Sequence, residues 1–545
     1  MRNIKVLDCT LRDGGRIINC EFKDTVIAGI AKGLTSANID IIELGFLRSQ
    51  QLVHYHEHCT FFNTPEQIQA FIPKSNQKTL FVAFVDFLMY DFSKLEKCDG
   101  NSVRGIRVGF TKTQFDNQRN ILKKDLMTVK QQGYLLFVQG VNTTAYSDRA
   151  LLDLIDFINE IEPYSFGIVD TYGAMYLEDI VHIYSLVDYN LKKNIGIDVH
   201  SHNNFQLSFA FAQQIITLAD EKREIILDAT LNGMGKCAGN LNTELIADFL
   251  VRKKNYDYDM DAIFDIIDRY LYPLKKSCTW GYSIPAFMAG IYKAHPNNVI
   301  YLTEKYRLNS KDIKYIISSI SEDVRQRYDY ENIARIYKEY CAHKVDDEKV
   351  LERLWKQLEN QRILVLAPGN SIEQYHNKIK EYINKTESIV ICVNFVPQQL
   401  KYDYLFYANT IHWEKISAYV DKSKCILASN IHSDIEGSML VDYSRLVVED
   451  SFLGDNSTIM LLNLLKKVRV NSITLAGFDG LKKDGENYVD ETFPSRNDDL
   501  DFSDVNSEVK HLLEQYENRV EGKIKIDFLT PSIYQGMTGV ERLDN

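Results

Sequence analysis

Proline and glycine are scarce, 10 and 27 of 545 residues, which excludes a collagen-like or low-complexity chain and leaves no long flexible linker. No Cys-x-x-Cys pair occurs among the nine cysteines, an odd number scattered along the chain. That usage excludes a disulfide scaffold and predicts reduced thiols in a cytosol. A basic excess is also missing. Lys and Arg total 63 against 75 Asp and Glu, a net charge of −12, the opposite of the footprint of general nucleic-acid binding. Long apolar runs are absent: Leu80–Val85 is among the longest, far below the roughly 18 residues of a membrane span. Strand-like sequence begins within Met1-Arg2-Asn3-Ile4-Lys5, leaving no room for a signal peptide, so a soluble cytoplasmic protein is expected. What is present, 45% apolar and 25% charged residues, is the composition of a folded globular chain. Its length allows about three structural units.

Residues 1–285 alternate short apolar strands with helical stretches. The predicted strands are Lys5–Asp8, Ile39–Leu44, Leu80–Val85, Gly105–Val108, Leu135–Gln139, Ser165–Asp170, Ile195–His200 and Glu224–Ala229. Eight strand–helix units in this length predict a closed (β/α)₈ TIM barrel over an open doubly wound sheet. Residues 286–360 show helical spacing through Ile313, Ile316, Ile317 and Ile320, then Ile333, Ile336 and Tyr337, and read as a helical appendage. It ends in a charged connecting helix, Lys344–Arg362, with Leu351, Leu354 and Leu358 on one face. Residues 361–545 resume the alternation and predict a second, Rossmann-like α/β domain. Its strands are expected at Ile363–Ala367, Ser388–Asn394, Tyr404–Tyr407, Lys424–Ala428, Arg445–Val448, Ser472–Ala476 and Lys525–Leu529. The polar stretch Lys482–Asp501 reads as a surface loop or lid.

Three barrel segments carry chemistry. Asp8-Cys9-Thr10-Leu11-Arg12-Asp13-Gly14-Gly15 ends the first strand, on the face where barrels place their active sites. There Asp13 offers a carboxylate to a hard divalent ion and Arg12 a cation to a developing oxyanion. Most isolated Arg-Asp pairs are only surface turns. His200-Ser201-His202 ends the seventh strand, and residues two apart in a strand share a face, so both imidazoles can reach one ion. Many His-x-His pairs arise by chance. Asp228-Ala229-Thr230-Leu231-Asn232-Gly233-Met234-Gly235-Lys236-Cys237-Ala238-Gly239-Asn240, at the eighth strand, can form a tight loop near a ligand, with Asn240 offering an amide oxygen, or an ordinary glycine-rich turn.

Taken in this order, the three segments resemble the DRE-TIM metallolyases, which include 4-hydroxy-2-oxovalerate aldolase, 3-hydroxy-3-methylglutaryl-CoA lyase, isopropylmalate synthase and homocitrate synthase. Asp170-Thr171-Tyr172-Gly173-Ala174-Met175, the glycine loop and the helical region about Ala294-His295-Pro296 are most similar to the aldolase, over roughly residues 1–340. The resemblance implies Asp13, His200 and His202 as ligands of Mn²⁺ or Mg²⁺, or of Zn²⁺, with Asn240 a candidate fourth. It implies that Arg12 stabilises the enolate oxygen of a 2-oxo acid during carbon–carbon bond cleavage or formation. Glu43 is a candidate pocket residue or one half of a structural ion pair.

One departure matters. The aldolases carry a histidine base four residues after the motif arginine, and Arg16 stands there. A guanidinium stays protonated and cannot accept that proton. Arg16 adds a second cation beside Arg12, which suits a substrate with an extra carboxylate or phosphate. Cys237, where the hydroxymethylglutaryl-CoA lyases hold a catalytic cysteine, is a candidate acid or a passive loop residue. His54, His56 and His58 are candidate bases or a solvated loop.

In the C-terminal domain, Ile363-Leu364-Val365-Leu366-Ala367-Pro368-Gly369-Asn370-Ser371 is a strand, a turn and a helix start, where free N–H groups favour phosphate. With Cys392-Val393-Asn394-Phe395 and Leu475-Ala476-Gly477-Phe478-Asp479-Gly480, it resembles bacterial sialyltransferases and related domains. The likeness implies that Gly369, Asn370, Ser371 and Asn394 contact a nucleotide or nucleotide sugar. His412, His432 and His511 are the candidate bases.

The leading expectation is a bifunctional, homo-oligomeric enzyme of surface polysaccharide biosynthesis: a metal-dependent aldolase, lyase or synthase acting through the metal-bound enolate of a 2-oxo acid. The second domain would take the place of a partner enzyme. The alternatives are a catabolic 4-hydroxy-2-oxovalerate-type aldolase and a degenerate barrel serving as a binding module.

Overall fold

Period-two alternation along the N-terminal strands decides which residues meet inside the barrel. The computed structural model describes residues 3–53, 55–74, 78–304, 308, 310–341, 345–448, 451, 453–482, 487–489 and 501–535. Its contacts divide into two units, one comprising residues up to 304 with 308–329, the other beginning at residue 330.

The first unit is the expected barrel. Its strands are β1 (Ile4–Asp8), β2 (Ile41–Leu47), β3 (Phe61–Phe62), β4 (Leu80–Asp86), β5 (Gly105–Thr111), β6 (Leu135–Val141), β7 (Ser165–Asp170), β8 (Gly196–Ser201) and β9 (Ile225–Ala229). They pair in parallel in the order β1-β9-β8-β7-β6-β5-β4-β2, and a β1–β2 pairing closes the ring. The unpredicted two-residue β3 adds beside the end of β2. Alternate residues face opposite ways. Ile106, Val108, Val138, Phe166, Ile168, Ile197, Val199, Ile225 and Leu227 join the apolar layer beneath the helices. Leu7, Ile41, Leu80, Val82, Phe137 and Ile226 fill the interior near the strand starts. Further along the same inner face come Glu43, Arg107, Gln139, Asp198 and Asp228, all buried. The interior therefore changes from apolar to charged towards the strand ends.

The surrounding helices follow from amphipathic spacing. In Asp148–Ile161, Leu151, Leu154, Ile155, Ile158 and Ile161 form one buried stripe, and Ser147 caps the helix by accepting from the Ala150 N–H. Each such side chain contributes about 1.5–3 kcal/mol on burial. Helices Ile284–Ile291, Pro296–Glu304, Ser310–Ser319 and Glu322–Arg325 complete this unit.

The second unit has helices Tyr330–Cys341 and Glu348–Leu358, the latter burying Leu354 and Leu358 fully. Its strands are β10 (Arg362–Leu366), β11 (Ile389–Val393), β12 (Tyr404–Tyr407), β13 (Cys425–Ala428), β14 (Met439–Val441), β15 (Ser472–Ala476) and β16 (Lys525–Phe528). All are parallel, in the order β14-β13-β12-β11-β10-β15-β16, with apolar clusters on both faces. This is a doubly wound sheet whose topological switch lies between β10 and β15. The strand expected at Arg445–Val448 is not there. Asp442 accepts the Ser444 N–H and starts a 3₁₀ turn over Tyr443–Arg445, so the edge strand is Met439–Val441 instead. Most of the expected Lys482–Asp501 loop lies outside the described residues.

Gly45 shapes the mouth of the barrel. Its φ is +153°, β2 shifts register against β4 between Glu43 and Phe46, and a Cβ there would lie 2.2 Å from the Thr60 carbonyl oxygen. Gly45→Ala is therefore expected to destabilise the protein by about 1–3 kcal/mol, read as a lower urea midpoint.

Candidate active site

A guanidinium anchors the charged layer. Arg107, wholly buried on β5, donates to Glu43 Oε1 at 3.1 Å, Asp198 Oδ2 at 2.9 Å and Asp228 Oδ2 at 2.6 Å. Gln139 adds a 2.8 Å bond to Asp198 Oδ2. Burial pushes Asp198 up to about 7, Arg107 notwithstanding, and raises Asp228 as well.

Two arms run from this layer to Asp13. Along the first, Glu43 Oε2 accepts from Arg12 Nε at 2.5 Å, and Arg12 Nη1 donates to Asp13 Oδ1 at 2.6 Å. The Arg12 guanidinium lies 4.4 Å over the ring of Phe84. Along the second, Asp228 Oδ2 lies 2.9 Å from His200 Nδ1. The carboxylate accepts, so the ring proton sits on Nδ1 and Nε2 keeps its lone pair. That Nε2 is 3.8 Å from Asp13 Oδ2, and His202 Nε2 is 3.7 Å from the same oxygen.

The turn after β1 presents Asp13 because the N–H groups of Arg12, Asp13 and Gly14 all point at the Cys9 carbonyl. His202 follows β8 and bridges to Asn240 in the glycine loop, where Gly239 adopts φ +77°. Asn240 Nδ2 donates to Asp13 Oδ2 at 3.0 Å and to the Met234 carbonyl at 3.1 Å, while its buried Oδ1 has no partner.

Burial lowers both His200 and His202 to about 4, so each is neutral at ordinary pH. Burial alone would raise Asp13, but the Arg12 guanidinium holds it well below the usual carboxylate range. Asp13, His200 and His202 thus offer one carboxylate oxygen and two imidazole nitrogens, all within 4.8 Å of one another. Around them four buried carboxylates, Asp13, Glu43, Asp198 and Asp228, face two buried guanidiniums, Arg12 and Arg107. Such an anionic excess, with neutral imidazoles oriented by a carboxylate behind them, fits a divalent cation.

These groups open on a cavity of about 200 Å³ lined also by Arg16, Phe84, Asp86, Gln139, Val141, Val169, Thr171, Lys236, His295 and Pro296. Several sequence candidates are placed elsewhere. Glu43 is fully enclosed in its ion pairs with Arg12 and Arg107. Cys237 is not among the lining residues, and burial pushes its thiol up to about 12. His56 and His58 do not line the cavity either; His58 bonds to Asp24, and His54 lies outside the described residues. Asp170 accepts the N–H groups of Ala174 and Met175 and holds the turn beneath Thr171.

Arg107 and Asp198 lie outside the motif segments, while Asp228, Lys236 and His295 lie within them without a role assigned. The available signal was a lone arginine inside the apolar run Gly105–Phe110, and an aspartate two residues before His200.

In the second unit, a cavity of about 340 Å³ at the β10/β15 switch is lined by Asn370, Ser371, Gln374, Tyr375, Asp479 and neighbours. The Ser371 N–H donates to Asp479 Oδ2 at 2.8 Å and its hydroxyl to Oδ1 at 2.5 Å, so an internal carboxylate sits where a phosphate was expected. Gly369 approaches Gly477, its N–H donating to that carbonyl at 2.9 Å. Asn394 bonds to Ser457 and accepts the Ala408 N–H, away from this cavity. Neither His412, His432 nor His511 lines it.

A protein-family model described as HMGL-like matches residues 109–269. A 4-hydroxy-2-oxovalerate aldolase of Moorella thermoacetica is 25% identical over 321 residues, covering 57% of this chain and 90% of the relative. One from Carboxydothermus hydrogenoformans is 24% identical over 327 residues, with 57% and 90% coverage. Among solved structures, the HMG-CoA lyase of Brucella melitensis aligns at a TM-score of 0.41 and 13% identity, covering 51% of this chain and all of that one. No helix among the described residues is long and apolar enough to cross a membrane.

Removing the anchor leaves its carboxylates buried and unpaired. Arg107→Met is expected to cost about 3–5 kcal/mol, measured by urea unfolding followed through barrel fluorescence.

Proposed function

We propose that the barrel is an HMGL-like, DRE-TIM metallolyase barrel and that this chain is a divalent-metal-dependent lyase or synthase for a 2-oxo acid, a reading supported by the HMGL-like match over residues 109–269 and by the similarity to 4-hydroxy-2-oxovalerate aldolases. The observation that carries this is the placement of two neutral imidazole Nε2 atoms 3.7 and 3.8 Å from one Asp13 oxygen at the cavity floor. A divalent ion held by Asp13, His200 and His202 would supply Lewis acidity to the 2-oxo group.

The chain's own residues supply the rest. Arg12 spends Nε on Glu43 and Nη1 on Asp13, leaving Nη2 for the oxygen on which negative charge develops. Phe84, stacked on that guanidinium, restrains its plane, and Val141, Val169 and Pro296 add apolar lining to the same cavity. Glu43 and Asp228 act behind Arg12 and His200 as positioning residues. Arg16 cannot serve as the base, which separates this site from the aldolases it resembles.

A role in surface polysaccharide biosynthesis rests on the resemblance of the second domain alone. There Asp479 already takes the Ser371 N–H, so a nucleotide phosphate would have to displace it.

The test is hydrogen exchange at the pyruvate methyl group in D₂O, followed by NMR on protein stripped with chelator and reloaded with Mn²⁺ or Mg²⁺. Wild-type protein is expected to bind one divalent ion and accelerate exchange. Asp13→Asn and His200→Ala should lose the ion and at least about 100-fold of the rate, the scale of a lost catalytic ion ligand. Absence of divalent-ion binding by the wild type, or full activity in both variants, would overturn the reading. Pyruvate release from 4-hydroxy-2-oxovalerate would instead identify the catabolic aldolase.

A further inference from the structure

Three basic residues lining the barrel cavity belong to neither the proposed ligand set nor its supports: Arg16, Lys236 and His295. Arg16 packs 4.7 Å over the ring of Phe46. Its nearest carboxylate oxygens are Asp13 Oδ1 at 3.5 Å and Asp86 Oδ2 at 3.6 Å. Each of these already has a closer cation, Arg12 and Arg48 respectively. The charge of Arg16 is therefore only partly offset.

Lys236 is more exceptional. Among the described residues it makes no ion pair, and its Nζ donates only to the neutral amide oxygen of Asn297, at 3.1 Å. Burial, reinforced by the charge of Arg16, draws its pKa downward. His295 receives the Asn297 N–H on Nδ1 at 3.2 Å, so its ring proton sits on Nε2. Burial first, then Lys236 and Arg16, lower it to about 4 and keep it a neutral donor. One residue, Asn297 in the helix Pro296–Glu304, thus holds both the ammonium and the imidazole in place.

Two cations line one cavity: Lys236 is mostly buried without an ion pair among the described residues, and Arg16 lies near carboxylates that already have closer cations, which raises the energy of the free protein. The cluster is relieved by an anion seated between them. Its donors are a guanidinium fork, an ammonium and an imidazole N–H, a set that matches the several oxygens of a phosphate or carboxylate. A small neutral aldehyde would leave all three unused.

We propose that Arg16, Lys236 and His295 form an anion subsite that takes a phosphate or second carboxylate carried by the reaction partner of the 2-oxo acid. This substrate class rests on the 2-oxo acid reading of the same cavity. Arg16 then has a positive role at the place where the resembling aldolases hold their base.

The test separates the two ideas by omitting the metal. Full-length protein stripped with chelator is titrated calorimetrically with inorganic phosphate and, separately, with succinate. At least one should bind the wild type, Lys236→Met should weaken it about tenfold or more, and Lys236→Arg should stay within about threefold, tenfold being 1.4 kcal/mol. Mn²⁺ stoichiometry after reloading checks that each variant is folded. Phosphate binding shows a phosphate subsite, and succinate binding alone shows a carboxylate subsite. Equal affinity of wild type and Lys236→Met for both anions overturns the proposal, even where metal-dependent pyruvate exchange persists. Lysine-dependent anion binding without divalent-ion binding keeps the subsite and removes the 2-oxo acid reading.

Discussion

Arg107 and its three carboxylates are the constraint on which the rest of the barrel site depends. With no exposed surface, the guanidinium pairs inside the protein through Nη1 and Nη2 with Glu43, Asp198 and Asp228 drawn from β2, β8 and β9, its Nε having no partner among the described residues. Apolar side chains of the same volume would stabilise such an interior equally well or better. What the charged layer contributes is orientation. Glu43 is shared between Arg107 and Arg12, and Asp228 between Arg107 and His200. Both arms converging on Asp13 are thereby tied to a single fixed cation.

The same layer sets the electrostatics of the mouth. Carboxylates outnumber guanidiniums where the imidazoles meet Asp13, and burial pushes Asp198 up to about 7 for want of further positive charge. In the same cavity Arg16, 3.5 Å from Asp13 and 3.6 Å from Asp86, and Lys236, bonded to the amide of Asn297, add positive charge.

The two units treat a shared motif differently. Both place strand ends and glycine turns around a cavity, but in the second unit Asp479 supplies the negative charge that the Ser371 N–H attracts. The resemblance of that turn to phosphate-binding sequences was legible at residues 369–371. Its internal partner, 108 positions away, was not, because nothing local in the sequence records which carboxylate folds back onto a helix start. Arg445–Val448 shows a similar limit: an apolar run looked like a strand, while the capping aspartate ahead of it decided for a turn. Glu43 was left open between a pocket role and an ion pair, and only the position of Arg107 settled its contacts.

By itself the sequence determined the alternation of strands and helices, and with it the closed barrel and the doubly wound sheet. Period-two and helical apolar spacing are local properties that burial turns directly into layers. It also determined which segments end at the mouth, since His200 ends a predicted strand and Arg12, Asp13, His202 and Asn240 follow predicted strands. Only the tertiary structure decided how those segments are held and charged. Arg107, Asp198 and Asp228 meet across a ring of strands whose members are 91 and 121 residues apart. Lys236 and His295 come together through Asn297, on a helix beyond the barrel. Pairing, tautomer and charge compensation depend on distances in space, and those exist only once the ring has closed.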